Sequence, residues 1–282
     1  MSFSIRHINR DEMPKIINLA KSYGWNPGTM DADSFYEADS NGFFVAEMNS
    51  EIIGSISAVR YGFDYGFIGF FLVKKEFSGR GLGTLLALRA KEYLKGRIVG
   101  AEGFKDRLEN YRRLGFRFSH PDTRYLYIKP NELDFFSCPK IQDYQDSYFK
   151  MINNYDRKCF PSERDAFLKN WLKAPNAKSK FILDGECIRG FATIRKCEDG
   201  YKIGPLFADG FMQADNLFLS LAHSLNPGDK VYIDSPENNP YLKLLANKYL
   251  WKKTFQTARL YSGEIDNVDS SKIFAHTSIE IG

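Results

Sequence analysis

One stretch of this chain has the residue types and spacing to hold an anion: Val73-Lys-Lys-Glu-Phe-Ser78-Gly79-Arg80-Gly81-Leu82-Gly83-Thr84. An apolar run ends, three alternating glycines turn the chain, and an amphipathic segment begins. Glycine has no Cβ, so successive backbone N–H groups can point into one concave nest. The start of a helix adds partial positive charge, which makes the turn a site for a pyrophosphate. No Gly-Lys-Ser/Thr follows, as a P-loop would require, and Leu86 stands where a GxGxxG pattern needs its last glycine. Metal and thiol chemistry have no comparable signature. His7, His120, His223 and His276 lack ligand spacing, so no metal is expected. Cys138, Cys159, Cys187 and Cys197 form no CxxC pair, which fits free thiols in a reducing cytoplasm.

The elements that must position this turn alternate in type. Ser4–His7 reads as a strand, Arg10 to Tyr23 as a helix, and Gly24-Trp25-Asn26-Pro27-Gly28 as a loop. A short helix near Asp31–Ala38 precedes strands at Phe43–Glu47, Ile52–Arg60 and Tyr65–Val73. The last of these is almost wholly apolar, as suits a strand buried on both faces. Leu82, Leu85, Leu86, Ala90, Tyr93 and Leu94 mark the helix after the turn, which Gly96 closes. A strand at Ile98–Glu102, a helix at Lys105–Leu114 and a strand pair from Phe116 to Ile128 complete an α/β unit around a mixed sheet. Residues 131–140, between Pro130 and Pro139, break the rhythm, and a second unit then repeats the order of elements. We expect domains at 1–130 and 138–282.

Composition agrees with a folded globular chain: 43% of its 282 residues are hydrophobic and 26% charged. Residues 1–130 hold 19 Lys/Arg against 15 Asp/Glu, whereas 131–282 balance at 20 each. The basic half suits an anionic ligand. Without a basic run, a nucleic-acid partner is not expected. Tyr65–Val73 is the longest uncharged apolar stretch and is too short to span a bilayer, so no membrane is expected; the opening MSFSIRHINRDEM has no apolar run after a basic stretch, so no secretory leader is expected.

Phe71-Leu-Val73 followed by Gly-Arg-Gly-Leu-Gly resembles the acetyl-CoA motif of the GNAT superfamily, Q/R-x-x-G-x-G/A, with Ser78 where Gln or Arg is usual. Tyr111-Arg-Arg-Leu-Gly115-Phe116 is similar to that family's Y-x-x-L-G-F. Gly42-Phe-Phe44, Ala101-Glu-Gly103, Ile203-Gly-Pro-Leu206 and Asp234-Ser-Pro-Glu-Asn-Asn239 resemble a two-domain branch of it. The resemblance implies two tandem domains, each a mixed, mostly antiparallel twisted sheet flanked by helices. It implies acetyl-CoA at Phe71, Leu72, Val73, Ser78, Gly79, Arg80, Gly81, Leu82, Gly83 and Thr84, between the splayed ends of two strands.

By the same resemblance, an amine attacks the thioester directly, with backbone N–H groups near Leu72 and Val73 polarising the carbonyl. Tyr111 would protonate the departing thiolate, or else is a core aromatic. Glu102 would assist deprotonation of the amine, or else is an exposed strand-end carboxylate. Trp25 and Asn26 lie in the loop that lines the acceptor site in such folds; Trp25 packs either on substrate or on the other domain. The second unit has one glycine after Leu206 rather than three, and Ala246 where the tyrosine would stand. It therefore reads as a degenerate domain that shapes the acceptor site. The expected function is an N-acetyltransferase acting on a small-molecule amine, as a monomer or homodimer. The alternatives are a CoA or metabolite sensor without activity and an acyltransferase using longer acyl-CoA.

Overall fold

The computed structural model describes residues 3–134 and 138–282. Residues 135–137, inside the segment expected to separate the domains, lie outside the described residues. The first half contains β1 (Ser4–His7), α1 (Met13–Ser22), α2 (Asp31–Ala38), β2 (Phe43–Met48), β3 (Glu51–Tyr61), β4 (Tyr65–Val73), α3 (Leu82–Tyr93), β5 (Ile98–Phe104), α4 (Leu108–Arg113) and β6 (Arg117–Ile128). The second half follows the same plan. It contains β7 (Ile141–Asp143), α5 (Phe149–Asp156), α6 (Asp165–Leu172), β8 (Ala177–Asp184), β9 (Cys187–Lys196), β10 (Tyr201–Ala208), α7 (Phe211–Ala222), β11 (Lys230–Pro236), α8 (Leu242–Lys248), β12 (Lys252–Tyr261) and β13 (Ile273–Ala275).

The two halves share one twisted sheet, ordered β1-β2-β3-β4-β5-β12-β6-β11-β10-β9-β8-β7, with β13 beside β10. Among the described residues only β4/β5 and β10/β11 pair in parallel; the other pairings are antiparallel. At the seam each half lends its last long strand to the other: β12 lies against β5, and β6 lies against β11. The strand pair expected between Phe116 and Ile128 is instead this single strand, β6. It runs unbroken because β11 and β12 hydrogen-bond its two edges.

Side chains alternate across each strand, so each half builds two apolar layers. In the first half, α1 and α2 cover Phe43, Val45, Phe67 and Phe70, a cluster that also takes Trp171 of α6 and Ile281. On the opposite face α3 and α4 cover Phe44, Ala46, Ile56 and Ala101, using Leu82, Leu86 and Ala90 as the helix stripe. Burial of that stripe fixes the start of α3 against the sheet, and with it the glycine turn.

Candidate active site

The split that receives the site has a local cause. Pairing between β4 and β5 stops at Ile68↔Ala101. Just beyond, Phe70 takes a positive φ of 43°, and the β3/β4 register breaks between Ser55 and Ser57. The Ser55 hydroxyl donates to the Phe70 carbonyl at 2.8 Å, which holds this bulge and turns β4 away from β5. At the open end the glycine turn begins. Gly79 and Gly81 have φ of 76° and 79°, Gly81 caps α3, and a Cβ built on either would meet nothing within 4 Å. Ser78, Arg80 and Thr84 are exposed beside them, and Arg80 stands over the Phe77 ring at 5.6 Å. Leu82 is buried as the anchor. Gly83 faces Phe71, whose ring a Cβ would meet at 3.5 Å. Phe71 and Val73 pack toward α3, whereas Leu72 is buried on the α1 side.

Glu102 follows the last β4/β5 pair directly, at the apex of the split. Its Oε2 accepts a hydrogen bond from Arg259 Nε at 2.9 Å, and its buried Oε1 has no partner. Glu102 is therefore buried rather than an exposed strand-end group. Burial first, then the charge of Asp122, push its carboxyl well above the usual range, against the opposing pull of Arg259. Tyr111 of α4 lies flat enough on Gly103 that a Cβ there would meet its ring at 2.6 Å. It packs edge-on to Phe116 with centroids 5.9 Å apart. Burial, then the charge of Glu102, push its phenol up to about 12.

The α1–α2 loop closes the opposite side. Trp25 stacks on the bulge residue Phe70 with centroids 6.1 Å apart, inside its own half. Asn26 instead donates its amide to the Asp199 carbonyl at 2.9 Å. Asp31 forms a buried ion pair with Arg195, and Gly28 bridges to Cys197. The β9–β10 turn thus packs against the loop.

The corresponding split in the second half is filled by the chain itself. Pairing of β10 with β11 stops at Ile203↔Ile233. Beyond it β13 pairs with Leu206 and Phe207, and His276 N–H donates to the Asp234 carbonyl at 2.9 Å. Asn239 donates to the Ile273 carbonyl at 2.8 Å and so ties β13 down. The buried segment after β13 continues into the first half, where the Tyr61 hydroxyl donates to the Ile281 carbonyl at 2.9 Å. A Cβ at Gly69 would collide with the Glu280 carbonyl oxygen.

Sequence reasoning missed Arg259, Asp122 and this segment. The signal was Gly69, a glycine inside an apolar strand, which marks close approach of another backbone. The histidines, scattered along the chain, also converge: His120 and His276 both face Asp122. Tyr65, His120, Arg259, Tyr261 and His276 line a seam cavity of about 50 Å³. A second cavity of about 230 Å³, lined mainly by Ile68, Phe71, Leu94, Val99, Tyr111 and Phe116, lies between α3 and α4. No helix among the described residues is long and apolar enough to cross a membrane.

Known proteins share this architecture. Residues 4–116 match the acetyltransferase (GNAT) family model, and residues 152–275 match an acetyltransferase (GNAT) domain model. A holothin acyltransferase from Pseudoalteromonas sp. is 29% identical over 258 residues, spanning 92% of this chain and 87% of that protein. A solved structure from Pyrococcus horikoshii, classed with the acetyltransferases, superposes with a TM-score of 0.82 at 19% identity, covering 99% of this chain and 96% of that one. A tandem GNAT protein from the clavulanic acid biosynthesis pathway superposes at 0.62 with 11% identity, covering 94% and 100%.

Proposed function

The chain belongs to the GNAT superfamily and carries two such domains in tandem, and on that premise we propose that it transfers acetyl from acetyl-CoA to a small-molecule amine in the cytoplasm. The observation that carries this reading is the open glycine turn at the start of α3, which leads into a split with Glu102 at its apex and Tyr111 beside it. The pyrophosphate lies on Gly79–Thr84, and the pantetheine runs along Phe71–Val73. The acceptor nitrogen attacks the thioester carbon, forming the C–N bond, while its proton passes to Glu102. The intermediate collapses, the C–S bond breaks, and Tyr111 protonates the thiolate. A lysine-like amine near pKa 10.4 needs about 4–5 kcal/mol to become neutral at pH 7, so a base is required. A carboxylate with a raised pKa is better matched to that task than an ordinary one.

The domains divide at residues 130–138, the first binding cofactor and the second walling the acceptor cleft with Trp25 and Asn26. Thiol release from acetyl-CoA with a panel of amines, holothin included, tests the reading; no turnover with any amine despite CoA binding would favour a sensor. One observation favours a longer acyl donor as the second reading. The apolar cavity between α3 and α4 borders both Phe71 and Tyr111. Comparing acetyl-CoA with longer acyl-CoA donors separates the two.

A further inference from the structure

Groups that acyl transfer does not use gather at one point of the seam. His120 and Asp122 lie on β6, and His276 follows β13. Asp122 Oδ1 is 3.4 Å from His120 Nε2, and Asp122 Oδ2 is 2.9 Å from His276 Nε2. The three ligand atoms lie within 4.8 Å of one another. Side-chain exposure is 11% for His120, 1% for Asp122 and 9% for His276.

None of these four heteroatoms has a hydrogen-bond partner. His276 Nε2 and Asp122 Oδ2 are close, at 2.9 Å, yet the pair does not meet the geometry of a hydrogen bond. A buried polar group left unsatisfied loses its hydration without compensation, so four in one place call for a shared partner. Atoms bound at about 2.0–2.1 Å to one cation sit about 2.9–3.4 Å apart along octahedral or tetrahedral edges. The two observed separations match that range.

We propose that His120, Asp122 and His276 bind one divalent first-row transition ion, of which zinc is the representative. Two imidazoles and one carboxylate suit such borderline cations, whereas magnesium and calcium take oxygen ligands. His120 Nδ1 lies 2.9 Å from Ser119 Oγ, the second hydrogen bond that orients a ligating histidine. Arg259 is the nearby positive charge, with Nε 3.5 Å from Asp122 Oδ2 but 2.9 Å from Glu102 Oε2. Glu102 is thus its nearer counterion, which leaves Asp122 for the cation. The ion ties β6 of the first half to the segment that fills the second half's split. This inference stands whether or not acyl transfer is the activity.

The full chain, stripped with a chelator and dialysed, is titrated with Zn²⁺ by calorimetry and with Co²⁺ by visible absorption. We expect one saturable equivalent, visible Co²⁺ bands, and a thermal midpoint raised by Zn²⁺. His276→Ala and Asp122→Asn each weaken binding by at least about 100-fold and abolish the Co²⁺ bands. His276→Gln, which retains the bulk of the side chain, serves as the control for folding, checked by circular dichroism. The absence of a saturable equivalent, or unchanged affinity in a folded His276 variant, overturns the proposal.

Discussion

Arg259 of β12 donates through Nε to Glu102 of β5 at 2.9 Å, across the seam where the second half's last long strand lies against the first half's sheet. Both side chains are almost fully buried, 3% and 5% exposed. The residue proposed as the base is therefore set by a strand from the other half. Removing one member of a buried pair strands the other charge, at about 3–5 kcal/mol. Arg259→Met should lower stability by that order in chemical denaturation, and adding Glu102→Gln should recover most of it. An unchanged midpoint for Arg259→Met would show that the pair does not hold the seam.

Glu102 sets the acid side of the pH profile. Its carboxylate is the active form, and burial favours the protonated form, so activity should rise with pH through a pKa well above the usual carboxylate range. With a weakly basic acceptor, whose own titration lies below the range studied, kcat/KM should show this limb. Glu102→Gln should remove it and lower kcat by about 10²–10³-fold. A wild-type profile that is flat from pH 5 upward would exclude the base role.

Tyr111→Phe should lower kcat by about 10²-fold with little change in acetyl-CoA affinity, because the ring and its contact with Gly103 survive. Since its pKa is pushed up to about 12, Tyr111 should contribute no alkaline limb below that pH. Wild-type turnover in the variant would return the residue to a packing role.

Gly81→Val places a β-branched side chain at φ 79°, where left-handed backbone costs about 1–2 kcal/mol. It also fills the nest. CoA binding measured by calorimetry should be lost while circular dichroism stays native-like; retained affinity would remove the pyrophosphate from this turn.

One CoA should bind per chain. β13 fills the split of the second half, and Asn239 is engaged in holding it. A stoichiometry of two in a CoA titration would show that β13 leaves on binding.

Much of this protein was legible along the chain because its determinants are local. Glycines at 79, 81 and 83 announce a backbone that side chains would obstruct, and the Leu82–Leu94 stripe announces the helix that aims it. Family motifs around Tyr111 and Glu102 supplied candidates for chemistry. What sequence could not supply is partnership across the seam. β6 reads as a pair of strands until β11 and β12 are seen on its edges, and Glu102 reads as either a base or an exposed strand-end group until Arg259 and Asp122 are placed around it. The last ten residues carry no motif, yet they fill one split and brace the bulge of the other. Such contacts join elements far apart along the chain, where neither periodicity nor spacing carries information. Local backbone chemistry therefore determined the turn and the helices. Only the exchange of β6 and β12 decided which charges surround the apex of the split.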